Sequence, residues 1–93
     1  MSKRKAVEVA LPNTRPTVEL PQGLAETLQR IITVEPYGVS SISLLEAGII
    51  SARNNVAMLR KLGARIETER SSALDRHGKI HPGTAHYFYK GWN

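Results

Sequence analysis

Arg53, Asn54, Arg60 and Lys61 lie within nine residues of one another in a stretch with no carboxylate. Their side chains are hydrogen-bond donors suited to two jobs. A guanidinium such as that of Arg53 can pair with guanine O6 and N7, and a carboxamide such as that of Asn54 with adenine N6 and N7. Ser51, just before them, offers a hydroxyl to a phosphate or a base. Arg60 and Lys61, a turn or two later, are better placed for phosphates. A second basic group, Arg76 and Lys79, falls in a Gly-containing stretch and can add backbone or minor-groove contacts. Each such contact makes affinity more dependent on salt. The chemistry implied is recognition of a polyanion.

The residues that could support bond-making chemistry are poorly arranged for it. His77, His81 and His86 invite a metal reading, but the first two sit in a Gly/Pro-containing segment rather than one turn apart on a helix, and no cysteine completes a set. His, Ser and Asp all occur within residues 71–81, yet no nucleophile elbow accompanies them. No Gly-rich phosphate cradle is present. Tyr87, Phe88, Tyr89 and Trp92 could stack bases on a sheet, but two strands make a narrow platform and core packing accounts for one face. The sequence therefore points away from an enzyme and implies neither cofactor nor metal.

Positioning the donors requires helices. At helical spacing Ala52, Val56, Leu59 and Leu62 form one apolar stripe, leaving Arg53, Asn54, Ala57, Arg60 and Lys61 on or beside the opposite face of a helix over about residues 51–62. Asn55 faces partly inward. Upstream, Ser40 or Ser41 can cap a short helix through Ala47 whose apolar residues are Ile42, Leu44 and Leu45. Gly48 supplies a turn and Ser51 a cap for the next helix. Two short helices about a Gly-containing turn form a helix-turn-helix pattern; a plain helical hairpin in a small core would share the same spacing. Before it, Leu24, Leu28, Ile31 and Ile32 mark an amphipathic supporting helix that ends near Val34 or Glu35, because Pro36 disfavours helix in the residue before it. Val39 and Ser40 allow a very short strand.

After Gly63, Ile66, Thr68 and Arg70 alternate with Arg65, Glu67 and Glu69, a period of two that predicts a half-buried strand. Residues 85–90 predict a second strand, with Tyr87 and Tyr89 on one face and Phe88 on the other. The segment between, residues 71–84, contains Ser71, Ser72, Gly78, Pro82 and Gly83 and reads as a long polar loop carrying Arg76, His77, Lys79 and His81. The expectation is a mainly α domain over residues 23–93, with three helices and a small two-stranded antiparallel wing: a winged helix-turn-helix. Residues 1–22, with Pro12, Pro16 and Pro21, read as a flexible basic arm. Within it Val7, Val9 and Leu11 alternate with Ala6, Glu8 and Ala10, so a short strand docked on the body is also open, with Lys3, Arg4 and Lys5 projecting.

Length and charge agree with a binding domain. The chain has 93 residues and no cysteine, enough for one small core and no disulfide staple. Its longest apolar runs are far too short to span a membrane, and its basic start lacks a secretory apolar core, so a cytoplasmic location is expected. The formal net charge of +5 is segregated: residues 1–16 carry +3, residues 17–47 carry −3, and residues 48–93 carry +5. A basic region beside the outward donors makes a polyanion the expected partner.

Residues 39–90 resemble the small winged helix-turn-helix DNA-binding domains encoded by phages and prophages. The residues that carry the likeness are Ser40 opening the second helix, Gly48 and Ile49 at the turn, Val56 with Leu59 and Arg60, then Gly63 and Ile66, and the aromatic run Tyr87, Phe88 and Tyr89. That family usually has Arg directly before the aliphatic, where this chain has Asn55. The resemblance implies sequence-specific binding of double-stranded DNA by a phage or prophage transcriptional regulator in the bacterial cytoplasm, associated with the nucleoid, and implies no cofactor. Recognition of a palindrome would need a homodimer, and no heptad announces one. The alternative is an interaction module that binds a host or phage protein, since one fold can serve either task.

Overall fold

A computed structural model describes residues 6–12, 17–35 and 37–93. Two strands, β1 (Ala6–Ala10) and β2 (Thr17–Pro21), form an antiparallel hairpin and lead directly into α1 (Gln22–Thr33). A two-residue strand β3 (Val39–Ser40) precedes α2 (Ser41–Glu46) and α3 (Ala52–Leu62), which are followed by the long strands β4 (Ala64–Leu74) and β5 (Ile80–Trp92). In the three-stranded antiparallel sheet β5 is central, in the order β3-β5-β4. No helix among the described residues is long and apolar enough to cross a membrane.

The expected order of three helices and then a hairpin is present, but the expected class is overturned. Among the described residues strand accounts for 43%, in two separate sheets, and helix for 35%, so the fold is not mainly α. Two segments account for the difference. The first is residues 71–84, expected to be a loop: β4 runs to Leu74 and β5 begins at Ile80, which leaves only residues 75–79 as the connection. The pairing steps from Ser71 opposite Thr84 to Ala73 opposite His81, so Ser72, Pro82 and Gly83 fall in an irregularity of the ladder. Proline is tolerated there because no ladder N–H is required of it, and Gly83 adopts φ +67° at low steric cost. The breaker residues interrupt the ladder without ending the strands.

The second segment is β1–β2, within the stretch read as an arm. Val9 and Leu20 alternate with exposed neighbours and are buried, and Leu11 follows them into the core. β1 and β2 thus share the core with α1, the docked arrangement left open for this stretch. Lys3, Arg4, Lys5, Arg15, Pro16 and Pro36 lie outside the described residues.

Leu24, Ala25, Leu28 and Ile31 of α1 meet the stripe Ala52, Val56 and Leu59 of α3, with Leu44 of α2 and Ile66, Tyr87 and Tyr89 of the sheet closing the core. Leu62 departs from the expected stripe: at the last helical position it lies at the stripe's edge and is 50% exposed. Phe88 points to the opposite face of β5 from the two tyrosines, against Gly38, where any Cβ would meet its ring at 2.5 Å. Lys90 Nζ lies 5.8 Å from the centre of that ring.

Candidate functional site

The site is set by how α2 stops and α3 starts. Ser40 Oγ accepts the Ser43 N–H at 3.0 Å, the cap expected for α2. The helix ends where Gly48, at φ +94°, turns the chain and the Ile49 N–H returns to the Leu44 carbonyl at 2.9 Å, with the Ile49 side chain buried. Ser51 does not cap α3: its hydroxyl makes no bond to the helix end and is left exposed. Gly63, at φ +129°, closes α3 as expected, and its carbonyl accepts the Asn93 N–H at 2.8 Å.

Asn55 precedes Val56 on α3. It is half-buried, and its Nδ2 donates to Thr27 Oγ1 at 2.9 Å while the Thr27 hydroxyl donates to the Gly23 carbonyl. Thr27 is fully buried, so this polar link fixes α3 against α1 inside the core. Asn55 is thereby a structural residue.

Arg53, Asn54, Ala57 and Lys61 are exposed along α3, as the helical spacing requires. Arg60 is also exposed, but its fork is engaged: Nε and Nη2 donate to the Ile66 carbonyl at 2.9 and 2.6 Å, and Nη2 reaches Thr68 Oγ1 at 2.8 Å. β4 is an edge strand of its sheet, and Arg60 ties α3 to it. Arg76 and Lys79 are at the hairpin tip with exposed side chains. The Arg76 N–H donates to Glu46 Oε2 at 2.8 Å, which brings the tip to the end of α2.

The tip itself is organised by Asp75. Its Oδ1 accepts the N–H groups of His77 and Lys79, both at 2.9 Å, and Oδ2 accepts from His81 Nε2 at 2.9 Å. An ionised carboxylate only accepts, so the proton of this last bond is on the imidazole. The His81 bond and then the backbone donors hold the Asp75 carboxyl below the ordinary aspartate range. A segment that reads as a polar loop is therefore a bonded turn, with Gly78 at φ +80°. Among the described residues no three of His, Cys, Asp or Glu converge in a cluster able to hold a metal ion.

Between α2, α3 and the hairpin runs a groove of about 770 Å³. Arg53 and Arg60 line it from α3, and Thr68 and Arg70 from β4. Arg70 was not among the sequence-derived candidates, although its alternation with Ile66 and Thr68 places it on the helix-facing side of β4. Its Nη1 donates to the Gly83 carbonyl at 3.0 Å, which braces the irregular part of β5. Asn54, Ala57 and Lys61 lie on the outer side of α3 and do not line the groove. The structure thus sets the α3 candidates beside the hairpin through Arg53, Arg60 and Arg70, and carries Arg76 and Lys79 away to the end of α2. Comparison with protein-family models finds no match, and comparisons with curated proteins and with solved structures find no significant one.

Proposed function

We propose that this chain binds double-stranded DNA with sequence preference, placing α3 in the major groove and the hairpin on the adjoining backbone, as a phage or prophage regulator working in the bacterial cytoplasm. The observation that carries the reading is the outer face of α3: Ser51, Arg53, Asn54, Ala57 and Lys61 are exposed together on a helix that contains no carboxylate. The first exposed residues of such a helix meet base edges, so Arg53 pairs with guanine and Asn54 with adenine, while the Ala57 methyl packs against thymine. Lys61 and Ser51 contact phosphates, and Arg76 and Lys79 add weaker, salt-sensitive ones. Arg60 ties the helix to the hairpin and contributes positive field.

Selection of genomic fragments by the purified protein at physiological salt tests this. A recurring motif is expected, and its symmetry reports whether two copies bind together. Arg53→Ala and Asn54→Ala should each cost about 1–3 kcal/mol of specific binding with the melting temperature unchanged. Retention without any motif, and unaltered by either substitution, would sink the assignment.

A further inference from the structure

The groove beside α3 is built from two kinds of surface, one cationic and one aliphatic. Its charged lining residues are Arg53, Arg60 and Arg70, with His81 beside them and no Asp or Glu. The lining also includes an aliphatic patch from α2 and the turn after it. Ile50 in the turn after α2 is 82% exposed, Leu45 is 56% exposed, and Ile42 is half-buried beside them. Ile49 sits immediately behind Ile50 and is buried, so the core needs only one of this pair. Phosphate oxygens pair with the guanidinium groups but offer the neighbouring aliphatic side chains no apolar contact. The two surfaces together are complementary to a polypeptide that places aliphatic side chains next to carboxylates.

We propose that this groove docks an acidic, aliphatic-bearing segment of a partner protein, with its aliphatic side chains on Ile42, Leu45 and Ile50 and its carboxylates on Arg53 and Arg70. Arg53 and Arg70 are the better anchors, because Arg60 already uses Nε and Nη2 on β4. Arg70 spends one nitrogen on the Gly83 carbonyl, which presents the rest of the fork in a set orientation. The proposal goes beyond the duplex reading, and peptide binding is read in the absence of DNA, so failure of one reading is distinguishable from failure of the other. A segment bound here would also cover Arg53.

The test is selection from a displayed random-peptide library on the intact protein, followed by titration of the recovered sequences as synthetic peptides. The expected result is a consensus of Asp or Glu beside Leu, Ile or Phe, with affinity lowered at least about tenfold by Ile50→Ser and by Arg70→Gln. Arg65→Gln, an equal loss of charge on an exposed β4 residue outside the groove, should leave affinity unchanged. Ile50 is almost fully exposed, so Ile50→Ser keeps the test decisive even where Arg70→Gln loosens the hairpin. The proposal is overturned if no acidic and aliphatic consensus emerges, or if peptide binding ignores Ile50→Ser. It is equally overturned if the substitutions reduce retention on duplex DNA while no peptide is recovered, which would assign the groove to nucleic acid.

Discussion

Two antiparallel hairpins bracket the helices, and they place their aliphatic side chains differently. In β1–β2, Val9 and Leu20 turn into the core against α1 together with Leu11, and Val7 and Val18 pack at its edge. In β4–β5 the part nearer the base is committed to the core, through Ala64, Ile66, Ala85, Tyr87 and Tyr89, while Leu74 and Ile80 near the tip are 61% and 63% exposed. The first hairpin completes a core that three short helices leave open. The second extends past the core and holds a basic surface beside α3. Strand content alone does not distinguish these jobs; the depth at which the side chains end does.

That contrast can be broken most directly with aliphatic truncations. Leu20→Ala should destabilise the fold by about 2–5 kcal/mol, as should Leu59→Ala in α3, whereas Leu74→Ala should stay within about 0.5 kcal/mol. Chemical denaturation of the three variants decides it, and equal losses at Leu20 and Leu74 would abolish the distinction. At the base of the second hairpin Gly63 should tolerate no side chain. Its φ is +129° and an added Cβ would lie 2.8 Å from Trp92 Nε1, so Gly63→Ala should cost about 1–3 kcal/mol in thermal melting. A melting point equal to that of the parent would mean that α3 and β4 are joined less tightly than drawn.

The link between α1 and α3 should show a smaller effect. Asn55→Ala removes one hydrogen bond to Thr27, whose hydroxyl keeps its bond to Gly23, and the expected loss is about 0.5–1.5 kcal/mol. Asn55→Ala should also leave any DNA preference intact; a change in preference with unchanged stability would make Asn55 a DNA contact instead. The smallest effect belongs to the tip. The Asp75 carboxyl is held below its ordinary value of 3.8 by the His81 bond and the backbone donors, so its contribution is fully present above that value. It is lost as pH falls through the lower folded-state value. Amide hydrogen exchange at His77 and Lys79 should therefore become less protected in that acidic range while Ile66, at the base, stays protected. Simultaneous loss at both places would show that the tip and the core are one cooperative unit.

Much of the helical part was legible from residue spacing. Ser40 caps α2, Gly48 and Gly63 sit where the chain needs positive φ, and Ala52, Val56 and Leu59 are the inner stripe of α3. The opposite faces of Tyr87 and Phe88 also follow from strand periodicity. The extent of the hairpin was hidden because Ser72, Pro82 and Gly83 carry the composition of a loop while occupying an irregularity inside a ladder. The candidate site was half legible. Exposure of Arg53, Asn54, Ala57 and Lys61 follows from one helix and its apolar side. The engagement of Arg60 with Ile66 and Thr68, the failure of Ser51 to cap, and the place of Arg70 in the groove each depend on where another element stops.

By itself the sequence determined the local features: the cap that starts α2, the glycines that end α2 and α3, which side of α3 is apolar, and a positive charge concentrated after residue 47. Those follow from capping chemistry, periodicity and composition, which act over a few residues. Only the tertiary structure decided that β1–β2 belongs to the core, that Asn55 is spent on Thr27, and that Arg53, Arg60 and Arg70 share one groove. These are contacts between residues far apart in the chain, such as Asn55 with Thr27 and Glu46 with Arg76, and they exist only once packing of the whole fold brings their elements together.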